Sequence, residues 1–107
     1  MDYKPEFLYL TTIGRQSGEP RQIEIWYVAY ADCFYLCAEH REQTQWVRNI
    51  QQHSGVTFWV LGQMYQGQGR VLDRTVEPEL TATVTRRFDE KYQWSDGLLV
   101  ELCPLSA

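Results

Sequence analysis

The sequence predicts a mainly β (α+β) protein, a six-stranded antiparallel barrel with two attached helices. Three observations lead there. Short runs rich in Val, Ile, Thr, Tyr, Phe and Trp recur along the chain, most of them bounded by turn-forming Gly, Pro or Asp. Only two segments place apolar residues at helical spacing. The 107 residues have the length of one domain, spanning 1–107, and no repeat, low-complexity tract or linker divides them.

The elements follow in order. Residues 6–13 alternate and read as a first strand. Residues 21–31 read as a second, longer one, with Ile23, Ile25, Tyr27 and Ala29 on one face and Gln22, Glu24, Trp26, Val28 and Tyr30 on the other. Ala31-Asp32 turns the chain into a third strand, residues 33–38, so two hairpins in succession predict an antiparallel meander. Residues 41–52 are polar except for Trp46, Val47 and Ile50, a narrow helical stripe, with Thr44 as its N-cap. Residues 56–61 are strongly β. Gly62-Gln63 turns into a strand over 64–72, where Gly67 and Gly69 predict a bulge or a bend. Residues 76–92 form the second helix: Thr75 caps it, Pro78 fits its first turn, and Leu80, Val84 and Phe88 recur every four residues. Asp96-Gly97 leads into a last strand over 98–103.

The bulk numbers exclude several classes. A net charge of −4 lacks the basic stripe of a nucleic-acid module. No run approaches the roughly 20 apolar residues that span a bilayer, and Met1 to Glu6 lack a secretory pattern. Cys33 and Cys37 lie four apart on one predicted strand, about 13 Å between Cα atoms at 3.3 Å per residue, too far to bridge. With no C-x-x-C motif, the three cysteines are read as reduced and the protein as cytoplasmic. His40 and His53 lack the spacing of metal ligands; His53 reads as a solvated helix end. No nucleophile elbow or Walker loop is present, and Gly67-Gln68-Gly69 lacks the rest of a dinucleotide fingerprint.

One loop carries chemistry. Gly14-Arg15-Gln16-Ser17-Gly18 joins the first two strands and holds a guanidinium, an amide and a hydroxyl within three residues. Arginine forks onto two phosphate oxygens, serine adds an O–H donor, and glycines let backbone N–H groups approach an anion. The same five residues also suit a plain polar hairpin whose arginine points into water.

The run Leu10-Thr11-Thr12-Ile13-Gly14-Arg15-Gln16-Ser17-Gly18-Glu19-Pro20-Arg21 resembles the L-T-T-x-G-R-K-S-G-x-P-R signature of the deazaflavin-dependent nitroreductase-like oxidoreductases. These belong to the flavin-binding, pyridoxamine-phosphate-oxidase-like group of split barrels. Tyr35-Leu36-Cys37-Ala38 resembles the family's third strand, Gln45-Trp46-Val47-Arg48-Asn49-Ile50 its W-x-x-N-[LI] helix, and Val56 to Leu61 the strand that follows. The resemblance covers about residues 7–72. It implies a Greek-key split β-barrel, a homodimer, and a cofactor that is either FMN or an 8-hydroxy-5-deazaflavin. It implies a phosphate on Arg15, Gln16, Ser17 and Gly18 with Arg21 nearby. It places the ring beside Glu24, Ile25 and Trp26, meeting Ala38, Glu39 and His40, with Trp46 and Asn49 on the following helix. The function implied is hydride or electron transfer to a small electron-poor acceptor such as a quinone, enone or nitro compound, with the cofactor carrying the redox chemistry. Two departures keep alternatives open. Gln16 replaces the signature lysine, and Glu39-His40-Arg41-Glu42 lacks the family's glycines, so a non-catalytic flavin-binding or sensing protein, or a barrel that has lost its cofactor, also fits the residues.

Overall fold

The computed structural model describes residues 4–105. The Met1–Tyr3 part of the N-terminal segment, and residues 106–107 of the predicted domain, lie outside them. One antiparallel sheet contains β1 (Leu8–Ile13), β2 (Pro20–Ile25), β3 (Val28–Tyr30), β4 (Cys33–Ala38), β5 (Gly55–Val60), β6 (Gln63–Val71) and β7 (Leu98–Pro104). Helix α1 (Gln45–Gln52) follows a 3-10 turn at Arg41–Gln43, and α2 (Pro78–Tyr92) precedes β7. The expected fold class holds, with seven strands in place of six.

The extra strand comes from a break in the predicted 21–31 segment. The sheet order is β2-β1-β5-β6-β7-β4-β3, so β2 and β3 lie at opposite edges. Only Trp26 and Tyr27 separate them in sequence. A two-residue link can join opposite edges only if the sheet curls until they meet, which makes it a half-barrel with a seam at Trp26-Tyr27. The break also resets the alternation: Tyr27 and Val28 are both buried while Ala29 is exposed, against the single-strand expectation.

The curl creates two cores. Inside it, Leu8 and Leu10 (β1), Leu36 and Ala38 (β4), Val56, Phe58 and Val60 (β5) and Val100 and Leu102 (β7) pack with Trp46, Val47 and Ile50 of α1. On the outer face, Val28, Tyr35, Cys37, Leu72 and Leu99 pack under Val84 and Phe88 of α2. Period-two alternation explains how β4 serves both: Leu36 and Ala38 point inward, Tyr35 and Cys37 outward. The outer face also buries a carboxylate. Glu101 accepts hydrogen bonds from the Tyr35 phenol (2.8 Å) and from Arg70 Nε (2.7 Å), and Arg70 forks onto Glu77 at 2.6 and 3.0 Å. Tyr35 and Arg70 stand directly across from Glu101 on its two neighbouring strands, so the register itself assembles the triad.

Several local expectations are corrected. Cys33 and Cys103, read as free thiols, form a disulfide across β4 and β7 with Cα atoms 4.5 Å apart. Only the strand pairing that sets Phe34 opposite Leu102 brings them together. Cys37 is the buried free thiol. Gly67 and Gly69 form no bulge, because β6 keeps unbroken register with both neighbours. Their role is close approach: a Cβ on Gly67 would lie 2.5 Å from the Cys103 carbonyl oxygen, and one on Gly69 3.1 Å from Ile50. Thr75 does not cap α2. Its N–H and hydroxyl bond Asp73 Oδ1, and Glu77 holds the N-cap position. Thr44 does occupy the N-cap of α1, but its side chain makes no capping bond. Among the described residues, no helix is long and apolar enough to cross a membrane.

Candidate functional site

The seam opens a groove between the β2 edge, the end of β4, the start of α1 and the C-terminal half of α2. It has two chambers. The apolar chamber, about 590 Å³, is lined by Glu24, Ile25 and Trp26 from β2 and the seam, Cys37 to His40 at the end of β4, Thr44 and Trp46 around the start of α1, and Phe7, Phe88 and Trp94. The polar chamber, about 370 Å³, is lined by Thr12, Gly14 to Ser17, Arg21, Ile23, Gln45, Trp46 and Asn49. Trp46 belongs to both walls, and β2 runs from Ile23 in one to Ile25 in the other, so the chambers adjoin along Trp46 and β2.

The polar chamber is built from the β1–β2 loop and α1. The loop closes tightly: Gly14 N–H donates to the Glu19 carbonyl, Gly18 N–H to the Gly14 carbonyl (both 2.8 Å), and Gly18 takes a positive φ of 74°. That conformation suits glycine because no Cβ meets the carbonyl. A Cβ on Gly14 would lie 2.7 Å from Ser17 Oγ, so the loop folds over its own first residue. Arg15 is fixed by α1. Its backbone N–H and Nη1 both donate to Asn49 Oδ1 (3.3 and 3.0 Å), and Nη2 donates to Gln45 Oε1 (2.8 Å). Asn49 Nδ2 in turn donates to Thr12 Oγ1 at 3.1 Å. Ser17 Oγ accepts from Glu19 N–H at 3.2 Å. Arg15 and Arg21 are both in this lining and no Asp or Glu is, in a chain whose net charge is −4. Two guanidiniums without carboxylates make a local field that favours an anion.

The apolar chamber is aromatic. Trp26 stacks on Tyr92 with ring centres 4.4 Å apart and planes within 2°. Tyr92 is itself anchored at the seam, where its hydroxyl accepts from Tyr27 N–H (3.2 Å) and donates to the Tyr27 carbonyl (2.9 Å). One face of Trp26 is therefore committed to α2. Glu24 Oε2 accepts from the Tyr9 phenol at 2.7 Å. Burial pushes the Cys37 thiol up to about 11, despite the opposing Arg41 charge, so the thiol itself is uncharged at neutral pH. Thr44 Oγ1 is buried without a hydrogen-bond partner among the described residues. A free polar atom in an apolar lining is a point where a bound molecule can be oriented.

The structure gathers the sequence-predicted residues well. Arg15, Gln16, Ser17, Arg21 and Asn49 line the polar chamber; Glu24, Ile25, Trp26, Ala38, Glu39 and His40 line the apolar one; Trp46 lines both. Gly18 lines neither and serves the loop's fold. Phe88, Trp94, Thr44, Cys37 and Phe7 were missed. Phe88 falls in the four-residue apolar repeat of an amphipathic helix, a pattern that signals packing and not a site, and Trp94 lies in a loop without periodicity. Gly97 sits behind the chamber: a Cβ there would lie 2.6 Å from the Ala38 carbonyl oxygen and 2.8 Å from Cys37 Sγ. Gly97→Ala is therefore expected to lower stability by about 1–3 kcal/mol through overpacking, read as a fall in the urea midpoint, and to shift the NMR signals of Ala38 and Glu39.

A curled antiparallel sheet with a flat aromatic slot beside an anion pocket defines a half-barrel of the class that holds flavin-like cofactors. The chain belongs to the F420H(2)-dependent quinone reductase family, whose pattern matches residues 2–98. It is thus placed among deazaflavin-dependent oxidoreductases, and the family cofactor is the deazaflavin F420. Solved structures share the fold at low identity. HutZ, the heme storage protein of Vibrio cholerae, superposes with a TM-score of 0.75 at 18% identity, over 97% of this chain and 84% of that one. The F420-H2 dependent reductase FDR-A gives 0.63 at 16%, over 91% and 93%. General Stress Protein 26 of Bacillus anthracis gives 0.67 at 11%, over 94% and 81%. No curated protein matches the chain in sequence.

Proposed function

We propose that this protein reduces a small, planar, electron-poor acceptor, a quinone first of all, using the reduced deazaflavin F420 held in the groove. The observation that carries this reading is the union of a carboxylate-free, two-arginine chamber with an aromatic slot across Trp46. The residues present fit the cofactor: a phosphate suits Arg15, Arg21, Ser17 and Gln16, and a flat ring suits the slot between Ile25, Ala38 and Trp46. Gln16 supplies an amide donor where a lysine would add charge, so Arg15 carries more of the anion's binding. The bound coenzyme supplies two-electron hydride transfer. The chain's own contribution is to bind and orient it, to keep water from the slot with Trp26, Phe88 and Trp94, and to offer Thr44 Oγ1 as a hydrogen-bonding point. Exposed Leu61 and Met64 on the β5–β6 hairpin support self-association, and a homodimer is part of the proposal.

The test is a titration of the purified protein with F420 and, separately, with FMN, followed by tryptophan fluorescence, since Trp26 and Trp46 line the groove. Saturable F420 binding below millimolar concentration, and oxidation of bound F420H(2) by a soluble quinone, are expected. Arg15→Ala should weaken F420 binding about 10- to 150-fold, the loss of one charged hydrogen-bonding partner. No binding of either cofactor would refute the reading. Binding without quinone-dependent oxidation would leave a storage or sensing protein.

A further inference from the structure

We infer that Asn49 is the positioning residue of the anion chamber: a neutral relay, Thr12–Asn49–Arg15, aims the guanidinium without cancelling its charge. The inference rests on the proposed function of the same groove. It reassigns Asn49, which the family resemblance had placed among the cofactor contacts.

Asn49 is 5% exposed and Thr12 1%. The Asn49 amide oxygen has two acceptor sites, and both are filled by Arg15, through its backbone N–H and Nη1. One Nδ2 hydrogen is given to Thr12 Oγ1. Little of Asn49 is left for a ligand; what it does is tie loop backbone and guanidinium to one buried point. That point is rigid because Thr12 sits in β1, paired with Arg21 of β2, and Asn49 sits on α1 against the inner core. Gln45 Oε1 holds the other terminal nitrogen at 2.8 Å. Arginine has five N–H donors, so three remain for an anion.

The acceptors that hold Arg15 are both neutral amide oxygens. A carboxylate at position 49 would hold the arginine at least as firmly, but it would set a negative charge against the guanidinium and repel the incoming phosphate. Without any relay, Arg15 would have to order its long side chain on binding, which weakens affinity.

Four variants separate the parts. Thr12→Val keeps the shape and removes the hydroxyl; it is expected to weaken F420 binding about threefold to tenfold, the worth of one neutral hydrogen bond. Thr12→Ser restores the hydroxyl and is expected to stay within about twofold of the parent. Asn49→Asp keeps an acceptor for Arg15, so the fold survives, yet binding should fall at least about tenfold. Arg15→Ala marks the full contribution of the loop. A second readout needs no cofactor: in the ligand-free protein, the Asn49 side-chain amide and Arg15 Nε–H NMR signals should shift and exchange faster in Thr12→Val than in Thr12→Ser. If Arg15→Ala weakens binding while Thr12→Val and Asn49→Asp bind as the parent does, the relay is refuted and the groove stands. Unmoved Arg15 signals in Thr12→Val refute the relay whatever the cofactor does. If Arg15→Ala itself binds normally, the groove reading fails and the relay with it.

Discussion

Phe88→Ala is expected to destabilise the protein by about 4 kcal/mol and to open one wall of the groove. Phe88 is 1% exposed and packs with Val28, Tyr35, Cys37, Leu72, Val84 and Leu99 beneath α2. Truncation leaves a cavity that strands cannot collapse into, because the same strands carry the inner core on their other face. The cost is a large part of the roughly 5–15 kcal/mol that holds a domain of this size together. The ring also lies 5.8 Å from Tyr92, which carries Trp26. Weaker docking of α2 therefore reaches the acceptor slot. Urea denaturation and quinone KM check the two halves; a loss below about 1 kcal/mol would show that α2 is not held by this residue. Phe88→Leu, keeping most of the volume, should cost much less.

Reduction of the Cys33–Cys103 bond is expected to remove about 4 kcal/mol, the chain-entropy value for a loop of this length. The linked residues are 70 apart in sequence, and the bond ties β4 to β7 near the outer edge of the sheet. Neither cysteine lines either chamber. The effect should thus fall on stability while F420 affinity in the folded protein stays unchanged. Intact mass before and after reduction, with urea curves for the parent and Cys33→Ser, measures it. Equal midpoints with and without reductant would refute the role.

The strands and helices were largely legible because each repeats a local period. Helix α2 announced itself through Leu80, Val84 and Phe88, and the β1–β2 loop through its bracketing glycines. The site was legible in its motif residues, since Arg15, Ser17, Trp46 and Asn49 stand at fixed distances from turns that sequence reveals. What failed has one physical cause. Local patterns carry no information about which strand lies beside which. Residues 21–31 read as one strand, yet their two halves pair with β1 and β4 at opposite edges of the sheet. Gly67 read as a bulge, yet it is small because Cys103 passes close by.

The sequence by itself determined the antiparallel barrel class, the order of the elements apart from the split of residues 21–31, and the donor set of the β1–β2 loop, because alternation, turn residues and polar side chains are properties of neighbours along the chain. The tertiary structure alone decided the seam at Trp26-Tyr27, the Cys33–Cys103 bond, the entry of Phe88 and Trp94 into the groove, and the hold of Asn49 on Arg15. Each joins residues 34 or more apart or opposite edges of one sheet, contacts that exist only once the sheet has curled.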